Sequence, residues 1–545
     1  MTQSDSGPDN GATNDLGQDM RPGTAKPDRV QVLVTAFEAY PVLERAFLKA
    51  EDRIVAGFRI FDPMTKLHSP EALEIGETWL DLIVHTLNRG VSFDIAIADF
   101  DPLLAHEIHR DTWASLRRLT AARELAREGA GRLRVIPALH SARVGLGPRL
   151  MLWSRVTGEV TRTAKSLNDL EEALRRNMLK EMPGFSRWLL AVRDGSYRAR
   201  RIPVPPLVPA THHQKVAVFD GKRTYIGGLD LDDRRYDDLN HRKPAHLTWQ
   251  DVQLMVDDPE LGAATEGHLH HFISETGGRS VPPPRPPLLR TLSAPRRLAL
   301  PFLSPRRLVH EIADAHHEEV ARAEEFIYLE TQFFRERELA RKLADAARRN
   351  KRLGLVLVLP AAPEEVAFEN RRRADARYGE FLQARCLKKL RKAFGHRIFV
   401  GSPAQNRPVV EGENPNGENL SRDRLAEAPL IYVHTKVSVF DDRAAIVSSA
   451  NLNGRSFYWD TEVGVRLTAP HEVAEVKRKV MSAWLPDDAD EKFFKGSGAV
   501  QAWRVLANEN LVRRPGGRQG FILPYADRPA RLFGRALPGV PEEMV

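Results

Sequence analysis

One eight-residue pattern occurs twice in this chain, and it constrains the fold more than any other feature of the sequence. The first copy runs from His213 to Asp220 and reads HQKVAVFD, and the second runs from His434 to Asp441 and reads HTKVSVFD. Both follow the pattern H-x-K-V-x-V-F-D, with the second copy more than two hundred residues after the first. Such a repeat indicates duplication of a whole domain. The chain is therefore expected to contain two copies of one folding unit.

Each copy of the pattern has the alternating, β-branched composition that is typical of a strand. Side chains two positions apart on a strand point to the same face of the sheet. His213 and Lys215 are therefore expected to project together, as are His434 and Lys436. An imidazole beside an ammonium group, present twice, is a candidate site for chemistry on an anionic substrate.

The residues that follow each histidine–lysine pair also correspond between the two copies. Asp220 and Asp441 lie an odd number of positions from their histidines and each opens a turn, so we interpret them as structural residues that brace the loop. Further on, GGLD in the first copy matches SSAN in the second, and small or polar residues at a strand end let a phosphate approach the backbone. The candidate phosphate-binding residues are Gly228, Asp230, Ser449 and Asn451.

The rest of the chain predicts an α/β architecture in more than one domain. Its 545 residues exceed what one core usually accommodates, and helical patterns alternate with strand patterns in both halves. Residues 281–288 read VPPPRPPL, and this proline density favours a stiff extended linker. The predicted organisation is a disordered lead-in at 1–29, a first domain at 30–280, a proline-rich linker at 281–300, a second domain at 301–490 and a partly packed C-terminal tail at 491–545.

Three individual elements are predicted because they are informative about this organisation. Residues 166–180 form an amphipathic pattern, which we interpret as a surface helix packed on the first domain. Residues 305–323 have the pattern of a helix that leads into a strand at 326–330, so the helix–strand alternation restarts after the proline-rich segment.

Composition narrows the function classes only partly. No apolar run approaches the roughly 18 residues of a membrane span, and the N-terminus has neither the basic start nor the apolar stretch of a secretory signal. The single cysteine, Cys386, excludes an internal disulfide and is expected to be inert. A net charge of +8 permits binding to nucleic acid or to an acidic membrane but requires neither. These features favour a cytoplasmic or peripherally membrane-associated protein, with export by a dedicated machine left open.

The duplicated motif resembles the hallmark of the phospholipase D superfamily, a repeated H-x-K-x4-D followed by a small-residue turn. GGLDLDDRRYDD and the later Trp249–Val252 are similar to the eukaryotic-type phospholipases D within it, as are FIYLETQFF before the second copy and, more weakly, GFILP near the C-terminus. The resemblance covers most of residues 30–525. Ser448 replaces the usual glycine, and LETQ replaces the commoner IENQ, which affects substrate fit more than the catalytic groups.

The resemblance implies a fold and a mechanism. The fold would be two tandem α/β/α sandwich domains related by a pseudo-twofold axis, with one active site at their interface. One histidine would attack phosphorus to form a phosphohistidine, and the other would act as acid and base. His213 is favoured as nucleophile and His434 as acid/base, although the pseudosymmetry leaves the order open. Lys215 and Lys436 would neutralise the phosphoryl oxygens, with no metal and no cofactor.

Two carboxylates are also implied by the resemblance. A catalytic imidazole works best when its second nitrogen donates to a carboxylate, which fixes its tautomer. Family position suggests Asp251 as the partner of His213 and Glu462 as the partner of His434. The cluster His268, His270 and His271 lacks acidic residues at ligand spacing, so we interpret it as a solvated helix face.

Four functions remain open from the sequence. The first is a phospholipase D that releases phosphatidate and a head group from phospholipid at a membrane surface, as a monomer and without a stable nucleic-acid partner. The second is a phosphatidyltransferase similar to cardiolipin synthase, and the third is a nuclease, which the basic charge permits. The fourth is a non-catalytic scaffold, which the two intact motifs argue against.

Overall fold

The computed structural model describes residues 29–369, 373–410, 412–413 and 422–545. The predicted disordered lead-in lies outside the described residues except for Arg29. That residue is held in place by ion pairs with Asp258 and Glu472, at 2.7 Å each. Arg29 therefore belongs to the folded part of the chain.

The first half is built on a seven-stranded sheet in the order β1-β9-β8-β7-β2-β3-β4, with helices packed on it. Strands β2, β3 and β4 run parallel, whereas β7 is antiparallel to β2. A separate two-stranded hairpin is formed by β5 and β6. The strands are β1 (Val30–Val34), β2 (Arg53–Phe58), β3 (Ser92–Asp99), β4 (Leu133–Leu139), β5 (Leu189–Ala191), β6 (Tyr197–Ala199), β7 (Val216–Phe219), β8 (Arg223–Gly227) and β9 (Val252–Asp257). The helices are α1 (Thr35–Lys49), α2 (Pro70–Leu73), α3 (Trp79–Asn88), α4 (His106–Leu125), α5 (Leu146–Asn168), α6 (Glu172–Glu181) and α7 (Pro259–Thr276).

The second half is built on a nine-stranded sheet in the order β11-β10-β19-β18-β17-β12-β13-β14-β20. Strands β12, β13 and β14 run parallel, and β17 is antiparallel to β12. The strands are β10 (Leu288–Ala294), β11 (Arg306–His310), β12 (Phe326–Thr331), β13 (Gly354–Val358), β14 (Ile398–Pro403), β15 (Arg424–Leu425), β16 (Ala428–Pro429), β17 (Lys436–Phe440), β18 (Ala444–Ser448), β19 (Glu462–Leu467) and β20 (Ile522–Pro524). The helices are α8 (Glu311–Arg322), α9 (Arg337–Arg349), α10 (Glu364–Ala367), α11 (Ala374–Phe394), α12 (Gly454–Tyr458), α13 (Pro470–Ser482), α14 (Gly496–Val512) and α15 (Asp527–Phe533).

The two sheets repeat one arrangement. The strand order β9-β8-β7-β2-β3-β4 in the first sheet corresponds to β19-β18-β17-β12-β13-β14 in the second, with the same parallel and antiparallel pairings. Each motif supplies the central antiparallel strand, β7 or β17, because its buried valines and phenylalanine suit a strand covered on both faces. The predicted α/β fold with a duplicated domain is confirmed.

Both halves contribute to one hydrophobic core. The largest buried cluster includes Val216 and Leu254 of the first sheet together with Val437 and Val447 of the second. Strands β8 and β18 contact each other across the interface. Burial of the apolar side chains in this cluster stabilises the two halves as one body. The tail predicted at 491–545 contributes to this core through α14, and through β20, which pairs with β14.

The structure corrects three of the predicted elements. The linker predicted at 281–300 contains β10, which lies inside the second sheet beside β19, so this segment is part of the sheet. The helix predicted at 305–323 begins only at Glu311, because residues 306–310 pair with β10 as β11. The helix predicted at 166–180 is interrupted between α5 and α6, where the Asn168 side chain bonds the backbone of Tyr197 at 2.8 and 2.9 Å.

Candidate active site

The two motifs meet at the interface through a reciprocal pair of backbone bridges. His212 pairs with Thr461, and its counterpart Val433 pairs with Gln250, both in parallel orientation. The amide N–H of His213 donates to the carbonyl of Thr461, and that of His434 donates to the carbonyl of Gln250, both at 2.8 Å. The first residue of each motif is thus held by a backbone hydrogen bond to the other half, as a pseudo-twofold relation between the halves requires.

Each motif histidine is hydrogen-bonded to a carboxylate that the other half supplies. Nδ1 of His213 lies 3.0 Å from the carboxylate of Glu462, and Nδ1 of His434 lies 2.6 Å from that of Asp251. The sequence-based pairing of His213 with Asp251 and of His434 with Glu462 is therefore wrong. The reciprocal bridges explain the exchange, because they place the strand end that carries each acid beside the histidine of the opposite half.

Both lysines lie beside the histidines of their own motif. Nζ of Lys215 donates to the carbonyl of His213 at 2.5 Å and lies 4.0 Å from Asp230. Nζ of Lys436 donates to the carbonyl of His434 and lies 2.8 Å from its Nδ1. Because Asp251 is an anionic acceptor at shorter distance, we assign the Nδ1 proton of His434 to the bond with Asp251, which leaves Nε2 with a free lone pair.

Burial controls the protonation of this cluster. It lowers the pKa of both imidazoles well below the usual range, and the charge of the lysine in the same motif lowers each further. Burial also lowers the pKa of Lys436 to about 7 and raises that of Glu462 to about 8, because each loses its hydration as a charged group. Before an anion binds, the site therefore holds neutral imidazoles, as a nucleophile requires.

The motif aspartates stand apart from this cluster and bind the loop that precedes the neighbouring strand. The carboxylate of Asp220 accepts the backbone N–H groups of residues 51–53 at 2.9–3.1 Å. That of Asp441 accepts those of residues 324–326 at 2.8–2.9 Å. Their φ angles of +51° and +53° match the tight turns that they open.

In the structure, each of the four candidate phosphate-binding residues has a defined neighbour. A Cβ at Gly228 would lie 2.2 Å from Oδ1 of Asp251, so glycine there leaves room for the carboxylate that orients His434. At the corresponding position, the Ser449 hydroxyl donates to Glu462 at 2.5 Å. Asp230 accepts the backbone N–H of Ile60 at 2.9 Å, and the Asn451 amide donates to Gln332 at 3.2 Å. Gly228 and Ser449 therefore shape the surroundings of the two carboxylates that bond the histidines.

A family model described as "Cardiolipin synthase, PLD-like domain" matches residues 316–484, which include His434, Lys436 and Glu462. Phospholipase D beta 2 of Arabidopsis thaliana is 23% identical over 471 residues, covering 61% of this chain and 50% of that protein. Phospholipase D alpha 1 of Carica papaya is 24% identical over 374 residues, covering 48% of this chain and 46% of that protein.

These similarities support an assignment to the phospholipase D superfamily. It spans about half the length of the curated relatives that it matches. Among solved structures, phosphatidylserine synthase of Haemophilus influenzae Rd KW20 aligns with a TM-score of 0.46 and 12% identity, covering 89% of this chain and 94% of that one.

Two arginines near the motif histidines were not identified from the sequence. Arg59 lies at the end of β2, 4.0 Å from Asp230, and its electrostatic interaction helps to lower the pKa of His213. Its counterpart in the second half is Gln332. Arg59 lies two residues before Phe61, and Gln332 lies two residues before Phe334. Phe61 and Phe334 form equivalent parallel bridges, so this shared spacing is the sequence signal that relates Arg59 to Gln332.

The second arginine, Arg235, has no comparable signal in the sequence. It lies over the ring of Trp249 at 3.8 Å, and that ring lies 4.5 Å from the ring of His434. Its Nε and Nη1 atoms are buried and have no hydrogen-bond partner among the described residues. An unpaired buried guanidinium beside the acid/base candidate can receive an anion, because burying such a donor without a partner costs free energy.

The remaining histidine and cysteine candidates have structural surroundings. His268 is buried and bonds Gln214 at 2.7 Å, so the predicted solvated face is wrong for this residue, whereas His270 and His271 are exposed. Burial raises the pKa of Cys386 to about 12, which keeps the thiol protonated. Within the described ranges, no three His, Cys, Asp or Glu side chains are grouped as metal ligands. No helix in the same ranges combines the length and apolar content of a bilayer span.

Proposed function

We propose that this protein is a phospholipase D that cleaves the phosphodiester bond of phospholipids through a phosphohistidine on His213. One observation carries the proposal: two imidazoles, each oriented by a carboxylate from the other half, meet at one interface between two lysines. A single chain thereby supplies a nucleophile, an acid/base and positive charge for the phosphoryl oxygens.

The reaction proceeds in two displacements. Nε2 of His213 attacks phosphorus, the bond to the head-group oxygen breaks, and protonated His434 gives its proton to that oxygen. The bound phosphodiester carries a negative charge, which offsets the lysine charges and raises the pKa of His434 when substrate is present. Neutral His434 then takes a proton from water, whose oxygen attacks phosphorus and breaks the P–N bond to release phosphatidate. Glu462 and Asp251 hold the two imidazoles in the required tautomers throughout.

A phosphatidyltransferase is the second candidate, because the family model matched by residues 316–484 carries the description of cardiolipin synthase. The same two displacements apply, with an alcohol in place of water in the second. The Arg235 guanidinium beside Trp249 and His434 supports an anionic substrate in both cases.

Turnover assays with defined substrates test the proposal. Purified protein is incubated with mixed phospholipid vesicles and ethanol, and separately with duplex DNA. Phosphatidate and phosphatidylethanol are the expected products. Transfer to alcohol without measurable phosphatidate favours the transferase, and cleaved DNA with intact lipid favours a nuclease.

Two histidine variants test the mechanism. His213→Asn and His434→Asn should each lower turnover by at least about 10³-fold, because each removes a nucleophile or a proton donor. His271→Asn, at an exposed position of α7, is the matched control and should retain full activity. More than a few per cent of activity in either motif variant contradicts the two-histidine scheme.

Rapid quenching followed by peptide mapping should place the acid-labile phosphoryl adduct on His213, and an adduct on His434 reverses the assigned order.

A further inference from the structure

Three chain segments of unusual composition lie together on the surface. Residues 143–158 begin α5, residues 195–206 follow β5, and residues 294–307 connect β10 to β11. Together they contain ten arginines and no aspartate or glutamate. We call them the arginine-rich rim. Backbone hydrogen bonds join them: Gly147 N–H donates to the Leu300 carbonyl at 3.0 Å, and Val144 N–H donates to the Leu207 carbonyl at 2.9 Å just beyond the second segment.

The rim also exposes large apolar side chains. Met151 is 85% exposed, Ile202 76% and Leu298 81%. Of the twenty exposed large hydrophobic side chains among the described residues, seven belong to the rim. They are Leu146, Leu150, Met151, Ile202, Leu298, Leu300 and Phe302. Exposed apolar groups concentrated in this way mark an interaction surface.

Most of the rim's positive charge is not neutralised. Arg155 lies 3.7 Å from Asp375, and Arg307 lies 2.5 Å from Glu543. Within the described ranges, none of the other eight arginines forms an ion pair. Arg296, Arg297 and Arg306 line an open groove of about 720 Å³ that also borders Leu298 and Phe302. The groove therefore presents cations beside exposed apolar groups.

The topology places the rim at the same edge of the molecule as the catalytic histidines. The segment 140–212 begins at the carboxyl end of β4 and leads to the start of β7. Because β4 is parallel to β2, the carboxyl ends of both strands lie at the same edge of the sheet. The candidate active site lies at this edge, since Arg59 directly follows β2 and His213 precedes β7. In the second sheet Thr291 of β10 is paired with Glu462, so residues 294–307 leave β10 at the corresponding edge. The ring of His140 also lies 5.0 Å from that of His212.

We infer that the arginine-rich rim docks this protein on the surface of an anionic phospholipid bilayer. Apolar side chains such as Met151 and Leu298 enter the acyl boundary, while the arginines contact lipid phosphates. The inference rests on the proposed function only in that the bilayer is also the source of the substrate. Nucleic acid fits less well, because interfaces with nucleic acid are polar and seven exposed hydrophobic side chains would be left without a counterpart.

Vesicle sedimentation of the full chain tests this inference without requiring turnover. Vesicles of phosphatidylcholine alone are compared with vesicles that contain phosphatidylglycerol. The wild-type protein should bind the anionic vesicles at least about tenfold more tightly, and equal binding to both compositions overturns the proposed lipid charge preference.

Two sets of substitutions locate the surface. A triple variant with Met151→Ser, Ile202→Ser and Leu298→Ser removes the most exposed apolar groups, and a double variant with Arg201→Glu and Arg297→Glu reverses charge. Each should weaken binding to anionic vesicles by at least about tenfold. The positions are exposed, so the thermal unfolding midpoint should remain that of the wild type.

Matched controls lie elsewhere on the surface. Leu125→Ser, Val512→Ser and Leu532→Ser remove exposed apolar groups outside the rim, and Arg127→Glu with Arg349→Glu reverses equal charge. Both controls should bind vesicles as the wild type does. Rim variants that bind vesicles normally overturn the inference, and if they instead lose binding to duplex DNA, the surface belongs to nucleic acid. A chain that docks through the rim but leaves phospholipid intact contradicts the proposed function and leaves the docking surface standing.

Discussion

At the scale of single residues, each motif histidine depends on a carboxylate from the opposite half of the molecule. His213 is oriented by Glu462, and His434 is oriented by Asp251. Neither half therefore contains a complete histidine–carboxylate pair. This exchange makes the interface between the halves part of the proposed mechanism, because a small shift between them alters both tautomers at once.

The exchanged pairing can be tested through histidine titration. Glu462→Gln replaces the carboxyl group at Nδ1 of His213 by an amide, so it should change the pKa of His213 and leave that of His434 nearly unchanged. Asp251→Asn should have the opposite selectivity. Heteronuclear NMR of isotopically labelled histidine measures both values. A response of His434 to Glu462→Gln, without one at His213, would restore the pairing expected from the sequence.

Gly228 provides a second prediction at this scale. In Gly228→Ala the new Cβ would lie 2.2 Å from Oδ1 of Asp251, so the carboxylate must move away from its place against His434. Turnover should fall by roughly 10²-fold, because misplacement of a catalytic group by about 1 Å has this effect. Steady-state kinetics measures the loss. The control is Gly498→Ala, where nothing lies within 4 Å of the new Cβ; activity there should stay unchanged, and equal activity in both variants would contradict the role of Gly228.

At the scale of elements, the motif aspartates connect each central strand to its neighbour. Asp441 accepts three consecutive backbone N–H groups at the start of β12 while its own φ of +53° opens the turn after β17. Asp220 has the same contacts at the start of β2. The strand that follows each motif histidine is thereby held in register with the parallel part of its sheet.

Asp441→Ala should lower the free energy of unfolding by roughly 1–3 kcal/mol, because three N–H groups lose their acceptor. Asp441→Asn should cost less, since asparagine keeps one acceptor oxygen and tolerates a positive φ. Denaturant unfolding followed by circular dichroism gives the difference. The control is Asp345→Ala, which removes exposed ion pairs with Arg341 and Arg348 and should change stability by less than about 1 kcal/mol. Similar losses at the two positions would exclude the bracing role.

At the scale of the whole molecule, one core joins the two halves. Leu254 of β9 and Val447 of β18 belong to the same buried cluster, and the reciprocal backbone bridges lie beside it. Separation of the halves would expose this apolar surface to water. The two copies of the folding unit are therefore expected to unfold together.

Calorimetry tests this cooperativity. The wild-type protein should show one transition with equal calorimetric and van't Hoff enthalpies. Leu254→Ala, which costs about 2–5 kcal/mol in a well-packed core, should move the whole transition to lower temperature. Two transitions, of which only one responds to this substitution, would show that the halves unfold independently.

Much of the fold follows from local patterns in the sequence. The repeated motif predicts a duplicated α/β unit, and its alternating apolar residues predict the buried strands β7 and β17. Such features depend on residues close to one another along the chain. Predictions that needed distant contacts were less reliable: the pattern at 305–323 indicates a helix, but pairing with β10 makes residues 306–310 a strand. The proline-rich composition at 281–300 likewise did not reveal β10, because its partner β19 is far away in the sequence.

The sequence by itself determined that two histidine–lysine motifs exist and which side chains they present. Only the tertiary structure decided how those motifs are completed. The choice of Glu462 for His213, the clearance at Gly228, the contact of Arg59 with Asp230 and the burial of Arg235 all arise where the two halves pack or where distant loops meet. Strand periodicity specifies the face of a side chain, whereas its partner depends on the relative placement of whole sheets, which no local pattern encodes.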